Sequence, residues 1–165
     1  AIILHGRTRK EMSKVPAHWD IIARAAEIVR QSGKSTKFIG NGDVWNLAQA
    51  DDYIKKYKVD GVMIGRGIFG KPWLFDSHIS DGDIDVSKQL EIMLEHTRIF
   101  LDELPNQNFN IMKKHYKAYV SGFDGAKELR VKCMESHSYD EIEKHIYNFL
   151  GKKKSIFSKI KNYFK

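Results

Sequence analysis

Apolar and polar positions alternate with two different rhythms along this chain. Ile2-Ile3-Leu4 is a short apolar run that stops at His5-Gly6-Arg7-Thr8-Arg9, the pattern of a buried strand running into a polar loop. Residues 16–32 keep Trp19, Ile22, Ala23, Ala26 and Val29 at helical spacing, with Pro16 suited to the first turn and Gly33 to the stop. Lys37-Phe38-Ile39-Gly40 predicts a second strand, ended by Asn41-Gly42-Asp43. Residues 46–57 predict a second helix, with Leu47, Ala50, Ile54 and Tyr57 on one side. Residues 59–64 predict a third strand that runs directly into Gly65-Arg66-Gly67. Strand, helix, strand, helix, strand implies parallel pairing with right-handed crossovers.

Beyond Trp73 the rhythm changes. Residues 76–85 are polar and read as a linker. Residues 87–104 place Leu90, Leu94, Thr97, Leu101 and Leu104 on one helical face, and Pro105 ends it. Further helices are predicted over 111–120, 125–136 and 138–149, the last opened by a capping box, Ser138-Tyr139-Asp140-Glu141. No strand pattern follows residue 75. The predicted organisation is an α/β part over 1–78, an all-α helical bundle over 85–150, and a basic amphipathic tail over 151–165.

Charge alters this picture in one place. The net charge is +7, but Lys152, Lys153, Lys154, Lys159, Lys161 and Lys165 stand in a tail without acids, which leaves about +1 for the rest. The overall basicity is therefore no proof that the body binds nucleic acid. The tail spaces Ile156, Phe157, Ile160, Tyr163 and Phe164 helically, and is read as RNA-binding or disordered in preference to membrane-anchoring. A lone cysteine, Cys133, excludes an intrachain disulfide and fits a reducing, cytoplasmic compartment. No apolar run approaches the roughly 20 residues of a membrane span. The chain opens inside an apolar run without an initiator methionine and is read as a piece lacking its N-terminal part.

The candidate chemistry gathers where strands end. In parallel α/β sheets ligands lie beyond the carboxyl ends of the strands, and His5, Asn41-Gly42-Asp43 and Gly65-Arg66 all fall there. Glycine lets backbone N–H groups approach an anion, and arginine adds a fixed bidentate charge. Asp43 is read as structural, capping the following helix, and Trp73 as packing. Lys113, Lys114, His115, Lys117, Lys127, Arg130 and Lys132 outnumber Asp124 and Glu128, with Tyr116, Tyr119 and Phe123 interleaved. Two readings stand side by side there: an RNA surface that combines charge and stacking, or a solvated helix face over an aromatic core. Cys133, inside a predicted helix and away from the strand ends, is read as a buried small residue and not as a nucleophile.

These residues together resemble the tRNA-dihydrouridine synthases. The resemblance rests on His5-Gly-Arg-Thr-Arg9, Asn41-Gly-Asp43, Asp60-Gly-Val-Met-Ile-Gly-Arg-Gly67 and Pro72-Trp73. It continues through Lys114-His115, Tyr119, Gly122, Gly125-Ala126 and Leu129-Arg130, and covers about residues 1–150. Departures are Ile68, Phe69 and Lys71. The resemblance implies the C-terminal portion of a TIM (β/α)8 barrel followed by a helical tRNA-binding domain. It implies an FMN cofactor reduced by NADPH, a tRNA partner, and a full-length protein that is monomeric. The implied reaction reduces the C5–C6 bond of a uridine turned out of the tRNA. Carried over by residue, His5, Asn41, Gly42, Asp43, Gly65 and Arg66 bind the cofactor, and Arg66 with Gly65 holds its phosphate. Arg7 and Arg9 face the tRNA entrance, and Lys113, Lys114, His115, Lys117 and Arg130 contact RNA. The family's general-acid cysteine and flavin-binding lysine belong to earlier strands, so this piece alone is expected to be inactive. The alternatives are another FMN-dependent α/β barrel, such as a dihydroorotate dehydrogenase-like protein, or a non-catalytic RNA-binding module.

Overall fold

The structure is a computed structural model, and it describes residues 1–79 and 81–151. The lysine-rich tail from Lys152 lies outside the described residues. The chain divides into two compact units, one of Ala1–His78 and one that begins at Ile79.

The first unit is strand β1 (Ile2–His5), helix α1 (Trp19–Gln31), β2 (Phe38–Asn41), α2 (Leu47–Tyr57) and β3 (Gly61–Met63). The strands form a parallel sheet in the order β1-β2-β3. Ile2 pairs with Phe38 and His5 with Asn41, while Asn41 pairs with Met63, so the three strands end in line. Trp19, Ile22 and Ala26 of α1 are buried with Phe38, Val44, Ala50 and Val59 to form the core on one sheet face. Gly40 makes that packing possible: a Cβ there would stand 2.5 Å from Cζ3 of Trp19. The indole lies in that gap, meets Tyr53 edge-on at 4.6 Å, and donates its N–H to Gly42 O at 2.8 Å. Within this unit, among the described residues, the opposite sheet face is uncovered, with Ile3 55% and Met63 47% exposed.

Asp60 ties the beginnings of two strands together. Its carboxylate accepts from Phe38 N at 2.9 Å and lies 3.1 Å from Lys37 Nζ, while its own N–H donates to Phe38 O. The Phe38 amide, then Lys37, hold its carboxyl below the ordinary range. Several boundaries shift from expectation. α1 begins after His18, which leaves Pro16 outside the helix, and Gly33, at φ 68°, ends it. β3 is shorter than residues 59–64, because Lys58 turns into the left-handed region and Val59 packs as core in the approach.

The second unit holds α3 (Val86–Glu103), α4 (Lys113–Tyr119), α5 (Ala126–Glu135) and α6 (Tyr139–Phe149). Asp85 caps α3 by accepting from Lys88 N at 2.7 Å, and the helix stops before Pro105. The helix expected over 111–120 is instead a 3-10 turn, Phe109–Met112, passing into α4. Ser138 caps α6, but Glu141 reaches back to His137 N at 2.7 Å, one residue before the expected partner. Leu90, Met93, Leu94, Thr97, Met112, Tyr116, Tyr119, Leu129, Cys133, Ile142 and Ile146 are all buried. Among the described residues no helix is long and apolar enough to cross a membrane.

Candidate functional site

The in-line strand ends bring His5, Asn41, Gly42, Asp43, Gly65 and Arg66 around one cavity of about 110 Å³, completed by Val44 and Trp45. Each arrives for a local reason. His5 is the last residue of β1, and its Nδ1 accepts from Arg7 N at 3.1 Å, which puts the neutral ring's proton on Nε2. Asn41, the last residue of β2, donates its side-chain N–H to Met63 O at 2.6 Å and fastens the two strand ends together. Gly42 has φ 135° and would press a Cβ to 2.7 Å from that of Ala17, so only glycine suits the turn. Gly65 differs: a Cβ built there meets nothing within 4 Å, so its hydrogen leaves an open cradle beside Arg66 that a side chain would fill. Gly67, behind it, is tight, with a Cβ falling 2.9 Å from Val44 O.

Asp43 is the electrostatic centre. One carboxylate oxygen accepts from the Arg7 guanidinium and from Ala17 N at 2.9 Å, and the other accepts from Arg66 Nη2 at 3.0 Å. Two guanidinium groups thus share one carboxylate, which leaves the trio positive. The Arg7 hydrogen bond, above all, keeps Asp43 below the usual carboxylate range. The backbone of Asp43 is itself left-handed, at φ 54°, a region aspartate enters more readily than most residues. Its side chain is therefore engaged away from α2. The expected cap falls instead to Asn46, which accepts from Gln49 N at 2.8 Å.

Arg7 is the clearest departure from the sequence reading. Its side chain is only 6% exposed, and its Nε donates to Val15 O at 2.6 Å. It buttresses the loop from beneath, its guanidinium engaged by Asp43 and Val15 O, and little of it is open to a partner. Arg9 is exposed, and with His5, Arg7, Thr8, Met12, Ser13 and Arg66 it lines a wider hollow of about 380 Å³. The loop around that hollow is closed by Glu11, which accepts from Thr8 N and Thr8 Oγ1 and lies 2.9 Å from His18 Nε2. The Thr8 amide, then His18, lower the Glu11 carboxyl to about 2. Ser13 and Trp45 were not singled out by sequence. Ser13 Oγ accepts from Arg66 Nη1 at 3.2 Å, and the Trp45 ring centre lies 5.1 Å from the Arg66 guanidinium. Trp45 stands between Asp43 and the first turn of α2, where an exposed indole has no helix-packing role, and that was the available signal.

In the second unit Lys114, Lys117, Lys127 and Lys132 are exposed, and Lys113, His115 and Arg130 are half-buried. The interleaved tyrosines are not part of that surface. Tyr116 and Tyr119 are buried, with Thr97 Oγ1 donating to Tyr116 OH at 3.3 Å and His96 Nδ1 lying 3.2 Å from Tyr119 OH. Burial pushes the Tyr116 hydroxyl up to about 12. Phe123 packs on Phe149 at 5.6 Å. The basic residues thus lie outside an aromatic core, and Tyr116 and Tyr119 offer no ring face for a base to stack on. Cys133 is fully buried, and burial pushes its thiol up to about 11. Among the described residues no cluster of His, Cys, Asp and Glu has a metal-holding arrangement.

Residues 1–154 match the family model described as Dihydrouridine synthase. The chain is 34% identical over 149 residues to the probable tRNA-dihydrouridine synthase 2 of Bacillus subtilis strain 168, a span of 88% of this chain and 45% of that protein. It is 35% identical over 149 residues to the probable tRNA-dihydrouridine synthase of Staphylococcus epidermidis, again 88% of this chain and 45% of the relative. A Staphylococcus aureus (strain Mu50) protein of the same description is 36% identical over 143 residues, covering 84% and 42%. The chain therefore spans a little under half the length of the curated relatives it matches.

Proposed function

The chain belongs to the dihydrouridine synthase family, and from that premise we propose that it supplies the cofactor-phosphate wall and an RNA-contacting face of a flavin-dependent tRNA-dihydrouridine synthase. In this reading the parallel sheet is the last part of an α/β barrel. The observation that carries it is the convergence of His5, Asn41, Gly42, Asp43, Gly65 and Arg66 on one small cavity at the strand ends. The residues fit a flavin phosphate in two respects: the arginine–carboxylate trio is positive, and Gly65 leaves a cradle that no packing demand explains. FMN, reduced by NADPH, would supply the hydride that, together with a proton from a general acid, saturates the uridine C5–C6 bond. Arg66 presents its half-exposed guanidinium to the phosphate, His5 offers its Nε2–H from the end of β1, and Asn41 fixes the edge on which the cofactor rests. Cys133, buried and protonated, takes no part in proton delivery.

The RNA face is carried by charge: Lys113, Lys114, His115, Lys117 and Arg130 on α4 and α5, with Arg9 in the first unit. Phosphate contacts of this kind set affinity and its salt dependence. A cytoplasmic, monomeric enzyme acting on tRNA completes the proposal.

The complete protein carrying this chain should purify yellow with bound FMN, and Arg66→Ala should remove most of it. Unchanged colour and stoichiometry would overturn the phosphate assignment. Changing Lys113, Lys114 and Arg130 to Glu should weaken tRNA binding and reduce its salt slope by about one for each RNA phosphate that is no longer neutralised. An unchanged slope places the RNA elsewhere.

A further inference from the structure

Arg66 is gripped from two neighbouring loops at once. The loop between β1 and α1 contributes Ser13 Oγ, and the loop between β2 and α2 contributes Asp43 Oδ1 and the face of Trp45. Behind Asp43 the support becomes more deeply buried. Arg66 is 50% exposed, Asp43 25% and Arg7 6%, and Arg7 is in turn held by Val15 O. Both oxygens of Asp43 are committed, one to Arg7 and Ala17 N and the other to Arg66. A carboxylate so placed has no hydrogen atom to donate to a phosphate and would repel one at close range.

We propose that Asp43 is a positioning residue: it does not bind the cofactor but aims the Arg66 guanidinium, while Trp45 and Ser13 fix its plane. This rests on the reading of Arg66 as the phosphate ligand. A guanidinium free to rotate forfeits side-chain entropy when it binds, and one already clamped does not. The clamp also explains why an acid is tolerated beside an anion site. Its charge is consumed by Arg7, and what remains exposed is the positive edge of Arg66.

Two views of Asp43 predict opposite signs for Asp43→Asn. If the carboxylate only adds negative charge beside the phosphate, its neutralisation tightens FMN binding. If it aims Arg66, neutralisation loosens it. The experiment titrates the flavin-free complete protein with FMN and, separately, with riboflavin, which lacks the phosphate, following flavin fluorescence. Asp43→Asn should lower the preference for FMN over riboflavin about tenfold, equivalent to about 1.4 kcal/mol. General damage to the fold would weaken both flavins alike and leave that ratio unchanged, which would overturn the proposal, as would a raised ratio. In an Arg66→Ala background Asp43→Asn should have no further effect on the ratio, because the two act through one interaction. If Asp43→Asn does not fold, Trp45→Leu and Ser13→Ala carry the test, each expected to lower the ratio about threefold, and an unmoved ratio in both would sink the clamp. Should Arg66→Ala itself leave the ratio unchanged, the phosphate reading falls and the positioning role falls with it. A ratio lowered by Arg66→Ala but not by Asp43→Asn overturns the positioning role alone.

Discussion

The two units bury apolar surface in different ways. The helical unit encloses its core from all sides, so that Leu90, Met93, Tyr116, Cys133, Ile142 and Ile146 have almost no exposure to solvent. The sheet unit buries one face beneath α1 and α2 and leaves Ile3 and Met63 on the other side half open. The open unit carries a polar network around Asp43 at the strand ends. A closed core needs nothing beyond itself, whereas a layer with one bare face holds its geometry partly through ion pairs and needs a cover for the other side.

Separating the units tests this most severely. Residues 79–151 expressed alone should melt cooperatively as a monomer, while residues 1–78 should aggregate through the bare sheet face and its unpaired edges. A soluble, cooperatively melting 1–78 would erase the contrast. Next in size is a single residue type placed in both settings. Met93→Ala should cost about 2–5 kcal/mol in urea unfolding of the chain, and Met63→Ala within about 0.5 kcal/mol. Equal losses would show that the sheet face is covered in solution.

Acid should then separate the units by pH. His96 and His115 are held below their ordinary 6.5, by burial in both and, for His115, additionally by His96 and Lys114 nearby. A native state that disfavours the charged ring keeps its full stability above 6.5 and loses it as pH falls below, because the unfolded chain takes the proton first. Asp43 has the opposite chemistry: its carboxyl is held below 3.8, mainly by Arg7, so its contribution is present above 3.8 and lost only as pH drops through that region. All three tryptophans, Trp19, Trp45 and Trp73, lie in the first unit. Tryptophan fluorescence should therefore report loss only below about pH 3.8, while helical circular dichroism begins to fall from about pH 6. Coincident curves would refute this ordering. The smallest contrast is between caps: Asn46→Ala should cost about 1 kcal/mol, and Ser138→Ala less, since its bond to Glu141 N is 3.4 Å against 2.8 Å at Asn46. Equal shifts in melting temperature would remove that distinction.

What could be read from sequence followed the distance over which each signal acts. His5, Asn41 and Gly65-Arg66 stand at the ends of apolar runs, so a few neighbours suffice to place them, and parallel pairing aligns them without further information. The Arg7–Asp43 pair joins positions 36 apart. Nothing local distinguishes the buried Arg7 from the exposed Arg9 two residues later. Helical spacing could not decide whether Tyr116 and Tyr119 face solvent or core, because Lys113, Lys114 and Lys117 share the same short stretch with both. The partners on α3, His96 and Thr97, decide it, and they belong to tertiary structure.

The pairing of Arg7 with Asp43 also constrains how the sequence can drift. Losing Asp43 first strands a buried guanidinium, and losing Arg7 first strands a carboxylate together with the Ala17 amide it accepts from, so either first step is costly to the fold. Arg66 is half exposed and can be exchanged at little expense to folding. If Arg66 holds the cofactor phosphate as proposed, a lineage that abandoned the cofactor would be expected to lose Arg66 early and keep the Arg7–Asp43 pair long afterwards, preserving the outline of the site after its use had gone.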